Sequence, residues 1–267
     1  MNNFSFGQYY PANSFAHKCD PRQKIVFLIV FIVAVSLSTT FYALGACAFV
    51  LALAVLFSRI PFTSLLKSVK AVIFLLLFTA VLNLFFHDGE TPLWEGSFIT
   101  KEAVYFTLFL SVRLCLLVLA SSLLTLTTSP VALTDGVESL LTPLKWIRFP
   151  VHELALIMSL ALRFIPTLGE QTSRIMNAQK ARGADFETGG LIKRVKAVVP
   201  ILIPLLIGAF RSSEELGDAM NARCYSGSKK RTKYKKLKFG WRDLIAFLLV
   251  TALLTGVIVM RIYLPTL

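Results

Sequence analysis

Two short stretches of this chain share one frame. Asn177-Ala178-Gln179-Lys180-Ala181-Arg182-Gly183 and Asp218-Ala219-Met220-Asn221-Ala222-Arg223-Cys224 both read Ala-x-x-Ala-Arg, 41 residues apart. On a helix the two alanines of each copy share a face. That leaves a smooth surface from which one guanidinium projects. Guanidinium forks onto carboxylates and backbone carbonyls, so the chemistry offered is recognition rather than catalysis. Taken singly, each arginine also suits a helix C-terminus, where it complements the dipole, and Gly183 can end its helix in the left-handed conformation. Capping does not require the same frame twice. Two equivalent arginines at two helix ends suit a partner with two equivalent pockets.

Catalytic constellations do not emerge. Gly227-Ser228-Lys229-Lys230 lacks the spacing of a phosphate-binding loop, and His152-Glu153 is followed by Leu156 where a zinc motif needs a second histidine. His17, with Cys19 and Asp20 nearby, has no second cluster to complete a metal site. Cys19, Cys47, Cys115 and Cys224 form no Cys-x-x-Cys pair and read as reduced, small apolar residues. The expectation is a non-enzyme with no cofactor or metal of its own.

The elements that carry the two arginines are set by an uneven composition. The 267 residues are 55% hydrophobic, carry 28 Lys and Arg against 15 Asp and Glu, and have a mean hydropathy of +0.68. Apolar residues come in long uncharged runs and basic residues in the remainder, which describes a polytopic membrane protein and excludes a nucleic-acid binder of similar basicity. Met1–Asp20 is polar and aromatic and does not read as a cleavable signal peptide.

Ile25 to Phe57 contains no charged residue over 33 positions, about 50 Å as one helix. Ser36-Leu37-Ser38-Thr39-Thr40 supplies a turn within it, giving spans over 22–39 and 42–58, with one strongly tilted helix as the alternative. Further spans are expected at Ala71–Phe86, preceded by a short amphipathic piece bearing Lys67 and Lys70, at Ala103–Thr127, and at Trp241–Tyr263. Arg113 falls inside the fourth of these, as a packed polar contact or as a sign that the span begins nearer to it. Nineteen of the 28 basic residues lie from Lys145 to Arg242, while His87–Pro92 is a turn-rich acidic loop. The positive-inside rule then places the N-terminus and the 128–240 segment in the cytoplasm. The fold class expected is an all-α membrane protein of about five transmembrane helices. Residues 1–130 form the N-terminal transmembrane region, 131–237 a cytoplasmic or interfacial domain of long kinked helices, and 238–267 the final span.

Within that domain, helices are expected at Leu133–Trp146, broken at Pro143, at Val151–Arg182 and at Leu191–Arg223, with kinks at Pro166, Pro200 and Pro204. The uncharged runs Leu154–Leu162 and Ala197–Phe210 are too short to cross a bilayer and too apolar to lie free in water. They fit helices packed on the spans or lying in the interface, with re-entrant segments as the alternative. Arg163, in the apolar stretch around Phe164 and Pro166, is expected to pair with Glu153, Glu170, Glu187 or a lipid phosphate. The run 229–238 holds seven cations in ten residues and reads as an anchor at anionic headgroups.

Asp20-Pro21-Arg22-Gln23-Lys24, Leu162-Arg163-Phe164-Ile165-Pro166, Ala181-Arg182-Gly183 and Ala222-Arg223-Cys224 together resemble the transmembrane T component of energy-coupling factor (ECF) transporters, the EcfT/CbiQ family. Cys224 departs from the glycine of the family's motif, which puts a positive φ at that position in question. The resemblance implies a non-catalytic scaffold of an ATP-binding cassette importer for vitamins or other micronutrients, in a prokaryotic cell membrane. It implies two cytosolic ATPase subunits that bind the ATP and form a dimer, with residues 181–183 and 222–224 as their contacts. It implies a separate membrane-embedded S component that binds substrate, and a structural role for Arg163 and Pro166. A self-sufficient secondary carrier or channel is the alternative, and it would want ionisable groups at a midplane site.

Overall fold

In the computed structural model, the residues described are 10, 14, 16–17, 19–86, 100–147, 150–184, 186, 190–225 and 240–263. They are built from helices α1 (Pro21–Leu37), α2 (Phe41–Ser58), α3 (Phe62–Phe86), α4 (Lys101–Thr127), α5 (Pro130–Leu141), α6 (Val151–Ala181), α7 (Leu191–Ala222) and α8 (Trp241–Tyr263), with a 3-10 turn at Thr142–Ile147. They divide into two compact units, one of residues 10–152 with 240–263 and one of residues 153–225. The division falls after 152, and α5 packs on α1.

The first unit is a bundle of α1, α2, α4 and α8 around Phe31, Val35, Leu44, Cys47, Phe109, Leu116, Leu253 and Val257, with α3 laid along α4. α1 and α2 part at Ser38-Thr39-Thr40, as the turn-forming residues there predicted. α3 is one helix from Phe62, not a span from Ala71 after a separate piece. Nothing between Pro61 and Phe86 breaks a helix, and Lys67 and Lys70 sit near its first end, where long cationic side chains reach polar surroundings. α5 starts one turn earlier than expected, at Pro130, because Ser129 accepts the Ala132 amide and proline suits the first helical position.

The helix starts are tied together at one end of this bundle. Asp20 caps α1 by accepting the Arg22 amide at 3.0 Å. The buried Asp243 carboxylate accepts the Asp20 amide at 3.0 Å and the Gly240 amide at 2.9 Å, joining the starts of α1 and α8. Lys24 Nζ donates to the Thr127 carbonyl (3.1 Å), the Thr128 hydroxyl (3.3 Å) and the His17 carbonyl (3.4 Å), fixing the start of α1 beside the end of α4. His17 itself bonds Ser14 and the Tyr10 carbonyl. Among the described residues no cluster of His, Cys, Asp and Glu could hold a metal ion.

Among the described residues six helices are long and apolar enough to cross a membrane by length and composition: α2, α3, α4, α6, α7 and α8. The all-α membrane fold is the one expected. α1, at 17 residues, is short of a full crossing, and the lengths of α6 and α7 qualify although their longest uncharged runs do not. Pro166, Pro200 and Pro204 lie inside α6 and α7, which each continue as one element through them.

Candidate functional site

The two arginine motifs end α6 and α7 in the same way. At the end of α6, Gly183 adopts φ +88°, its amide donates to the Lys180 carbonyl at 3.0 Å, and the Ala184 amide donates to Gln179 at 3.0 Å. At the end of α7, Cys224 adopts φ +57°, its amide donates to Asn221 at 2.9 Å, and the Tyr225 amide donates to Met220 at 3.0 Å. Both are Schellman motifs, in which a left-handed residue turns the chain back onto the last free carbonyls. Arg182 and Arg223 are therefore equivalent C-caps. Cys224 answers the question raised by its departure from glycine: the position does take a positive φ, with a side chain that the left-handed region disfavours. Cys224 is also exposed, unlike Cys19 and Cys47, so it is not a small core residue.

Every residue of the two motifs, Ala181, Arg182, Gly183, Ala222, Arg223 and Cys224, is exposed. The alanine faces leave the arginines standing on open surface.

The equivalence extends inward along both helices. α6 and α7 face each other across a shared cleft. A Cβ on Gly208 of α7 would lie 3.7 Å from Gln171 Oε1 of α6. Leu160, Arg163, Phe164 and Thr167 of α6 line one cleft of about 360 Å³ with Ser212, Glu215 and Leu216 of α7. The 41-residue shift that relates the arginines also maps Thr167 onto Gly208 and Gln171 onto Ser212. Gln171 beside Gly208, and Thr167 lining the cleft with Ser212, are thus paired positions of the 41-residue repeat. Arg182 and Arg223 each lie 13 residues beyond the corresponding positions Gly169 and Phe210, about 20 Å along a helix. The same shift superposes the ion pairs Glu170–Arg174 (3.9 Å) and Arg211–Glu215 (3.1 Å) with their signs reversed. The repeat is one of backbone, not of charge.

Arg163 faces the cleft. Among the described residues it makes no ion pair. Glu170, an expected partner, bonds Arg174, and Glu215 across the cleft bonds Arg211. Glu187, another expected partner, and the basic run 229–238 lie outside the described residues. Pro166, one turn beyond Arg163, is exposed.

One functional-looking residue is settled in the other unit. Arg113, in the middle of α4, donates to the carbonyls of Ser36 and Ser38 and lies 4.9 Å above the Phe109 ring. It caps the C-terminus of α1 and is the packed polar contact rather than the start of a span.

The geometry defines a class: a helical membrane protein bearing two long helices that end in the same arginine-bearing cap. Residues 12–234 match the family model CbiQ, described as cobalt transport protein. Proteins described as energy-coupling factor transporter transmembrane protein EcfT are similar over nearly the whole chain. That of Ruminiclostridium cellulolyticum is 43% identical over 263 residues, 98% of each chain. That of Brevibacillus brevis is 49% identical over 247 residues, 91% of this chain and 92% of its own. That of Bacillus subtilis is 42% identical over 259 residues, 95% and 98%. The chain belongs to this CbiQ/EcfT family of transmembrane components of energy-coupling factor transporters, and is a multi-pass protein of a prokaryotic membrane.

Proposed function

We propose that this chain couples a cytosolic ATPase dimer to a membrane-embedded S component in an importer of vitamins or other micronutrients. The observation that carries the reading is the repeated helix ending: Arg182 and Arg223, equivalent in backbone and both exposed, suit a two-fold partner. Each guanidinium enters a groove of one ATPase subunit, while ATP is bound and hydrolysed on those partners. Closure of the dimer moves α6 and α7, and the motion reaches the S component and its substrate. In this reading α6 and α7 lie at the cytoplasmic side, as their proline-interrupted apolar runs and the basic residues around them favour. Family membership supports this role over that of a self-sufficient carrier.

Co-purification tests it. Replacing both Arg182 and Arg223 by Glu leaves the protein inserted but removes bound ATPases, or leaves them bound with hydrolysis uncoupled from uptake. Normal uptake by the double variant with its ATPases attached overturns the arginine assignment.

A further inference from the structure

The α1–α2 turn stops at half the height of α4. Lys24 holds the start of α1 against Thr127 and Thr128 at the C-terminal end of α4. Arg113 holds the end of α1 through the carbonyls of Ser36 and Ser38. Arg113 lies 12 residues after Lys101, so about 18 Å of α4 stands beyond the turn. A membrane-spanning unit therefore carries irregular backbone, a guanidinium and several hydroxyls well inside its apolar depth. Irregular backbone at such depth cannot face hydrocarbon; it is tolerated only where protein buries it or water reaches it.

Three polar atoms at the turn lack protein partners. The Thr39 and Thr40 hydroxyls and Arg113 Nε are buried without a hydrogen bond. α2 starts at Thr40 with no side-chain cap, although Thr40 is only 6% exposed. Ser36 is exposed and Arg113 half-buried, so one side of the cluster is open. Among the described residues its charge is one-sided. α2 has no acidic residue, Glu102 of α4 lies 11 residues from Arg113, and Asp20 and Asp243 lie at the far ends of α1 and α8. The unfilled N-terminus of α2 adds a second positive pole.

We propose that the α1–α2 turn, Arg113 and the start of α2 floor a hydrated, electropositive basin that admits water and small anions into the membrane-spanning unit. Water supplies the partners that the two threonines and Arg113 lack. The guanidinium, stacked on Phe109 and bonded to the end of α1, stays charged because it is solvated from the basin. The orientation proposed above opens the basin to the outer face. The inference does not depend on ATPase docking.

Thiol accessibility in intact cells tests it. In a chain with the four native cysteines replaced and assembly retained, Ser36→Cys is compared with Leu77→Cys. Leu77 is 63% exposed on α3 and lies 15 residues beyond its start, near the depth of Arg113. Ser36→Cys should react with membrane-impermeant methanethiosulfonates while Leu77→Cys stays inert. The anionic sulfonatoethyl reagent should react about tenfold faster than the cationic trimethylammonium reagent. Adding Arg113→Gln should abolish that preference, and Arg113→Lys should keep it. Inertness of Ser36→Cys from both faces overturns the basin, and modification without charge preference overturns its electropositive character. Modification from the cytoplasmic face alone supports the basin and overturns the orientation. Amide hydrogen exchange on the unaltered protein gives a reading free of substitutions: rapid exchange at Thr39 and Thr40 supports water access, and protection equal to that of the core around Leu44 overturns it.

Discussion

Arg182 and Arg223 occupy the same place in two copies of one helix ending: the amide two residues after each donates to the carbonyl three residues before it, at 3.0 Å in both. The backbone around them is thus fixed by local bonds, so each guanidinium is presented from a defined point at little further entropic cost. Single replacement of either arginine by alanine should weaken ATPase attachment about tenfold or more, as expected for losing one charge-assisted contact. The two losses should be similar in size. Titration of detergent-solubilised protein with the ATPases measures both, and an effect at one arginine alone would show that the two-fold equivalence is structural only.

Cys224 holds a conformation better suited to Gly183's residue type. Cys224→Gly should stabilise the end of α7 by about 1 kcal/mol, and Gly183→Ala should destabilise the end of α6 by about the same. Hydrogen exchange at the Tyr225 and Ala184 amides reports each locally. Slower exchange is expected at Tyr225 in the first variant and faster exchange at Ala184 in the second.

Asp243 is 3% exposed and accepts two backbone amides, one at the start of α1 and one at the start of α8. Asp243→Ala leaves both amides without their acceptor and should cost about 2 kcal/mol or more. Asp243→Asn keeps one acceptor and should cost less. Thermal unfolding in detergent ranks the two, and equal Tm values for wild type and Asp243→Ala would remove the carboxylate from the account of how α8 is seated.

Gly136 is where α5 meets α1. An added Cβ would lie 3.2 Å from the Pro21 carbonyl carbon, Pro21 Cβ and Ile25 Cδ1. Backbone cannot yield as a side-chain tip can, so Gly136→Ala should destabilise by about 1–3 kcal/mol. Unchanged thermal stability would mean that α5 shifts freely over α1.

Much of the fold was legible because it rests on properties the residues carry themselves. The turn at 36–40, the helix break at Pro143 and the ends of α6 and α7 follow from local hydrogen bonding and backbone preference. The start of α3 was misplaced because two lysines look like an interruption in a hydropathy count, yet do not break a helix. Of the partners offered to Arg163, Glu170 is engaged by Arg174. Spacing along one helix names several possible partners, and Arg174, at the favoured i, i+4 distance, competes for the same carboxylate.

The sequence by itself determined the membrane class, the helices and the repeated Ala-x-x-Ala-Arg frame, since hydropathy and period are summed along the chain. Only the tertiary structure decided that both copies of the frame close in the same Schellman ending, that position 224 is left-handed, and that Arg113 caps α1 at the middle of α4. Those relations join residues tens of positions apart, and no local preference encodes which of many distant carbonyls a guanidinium will reach.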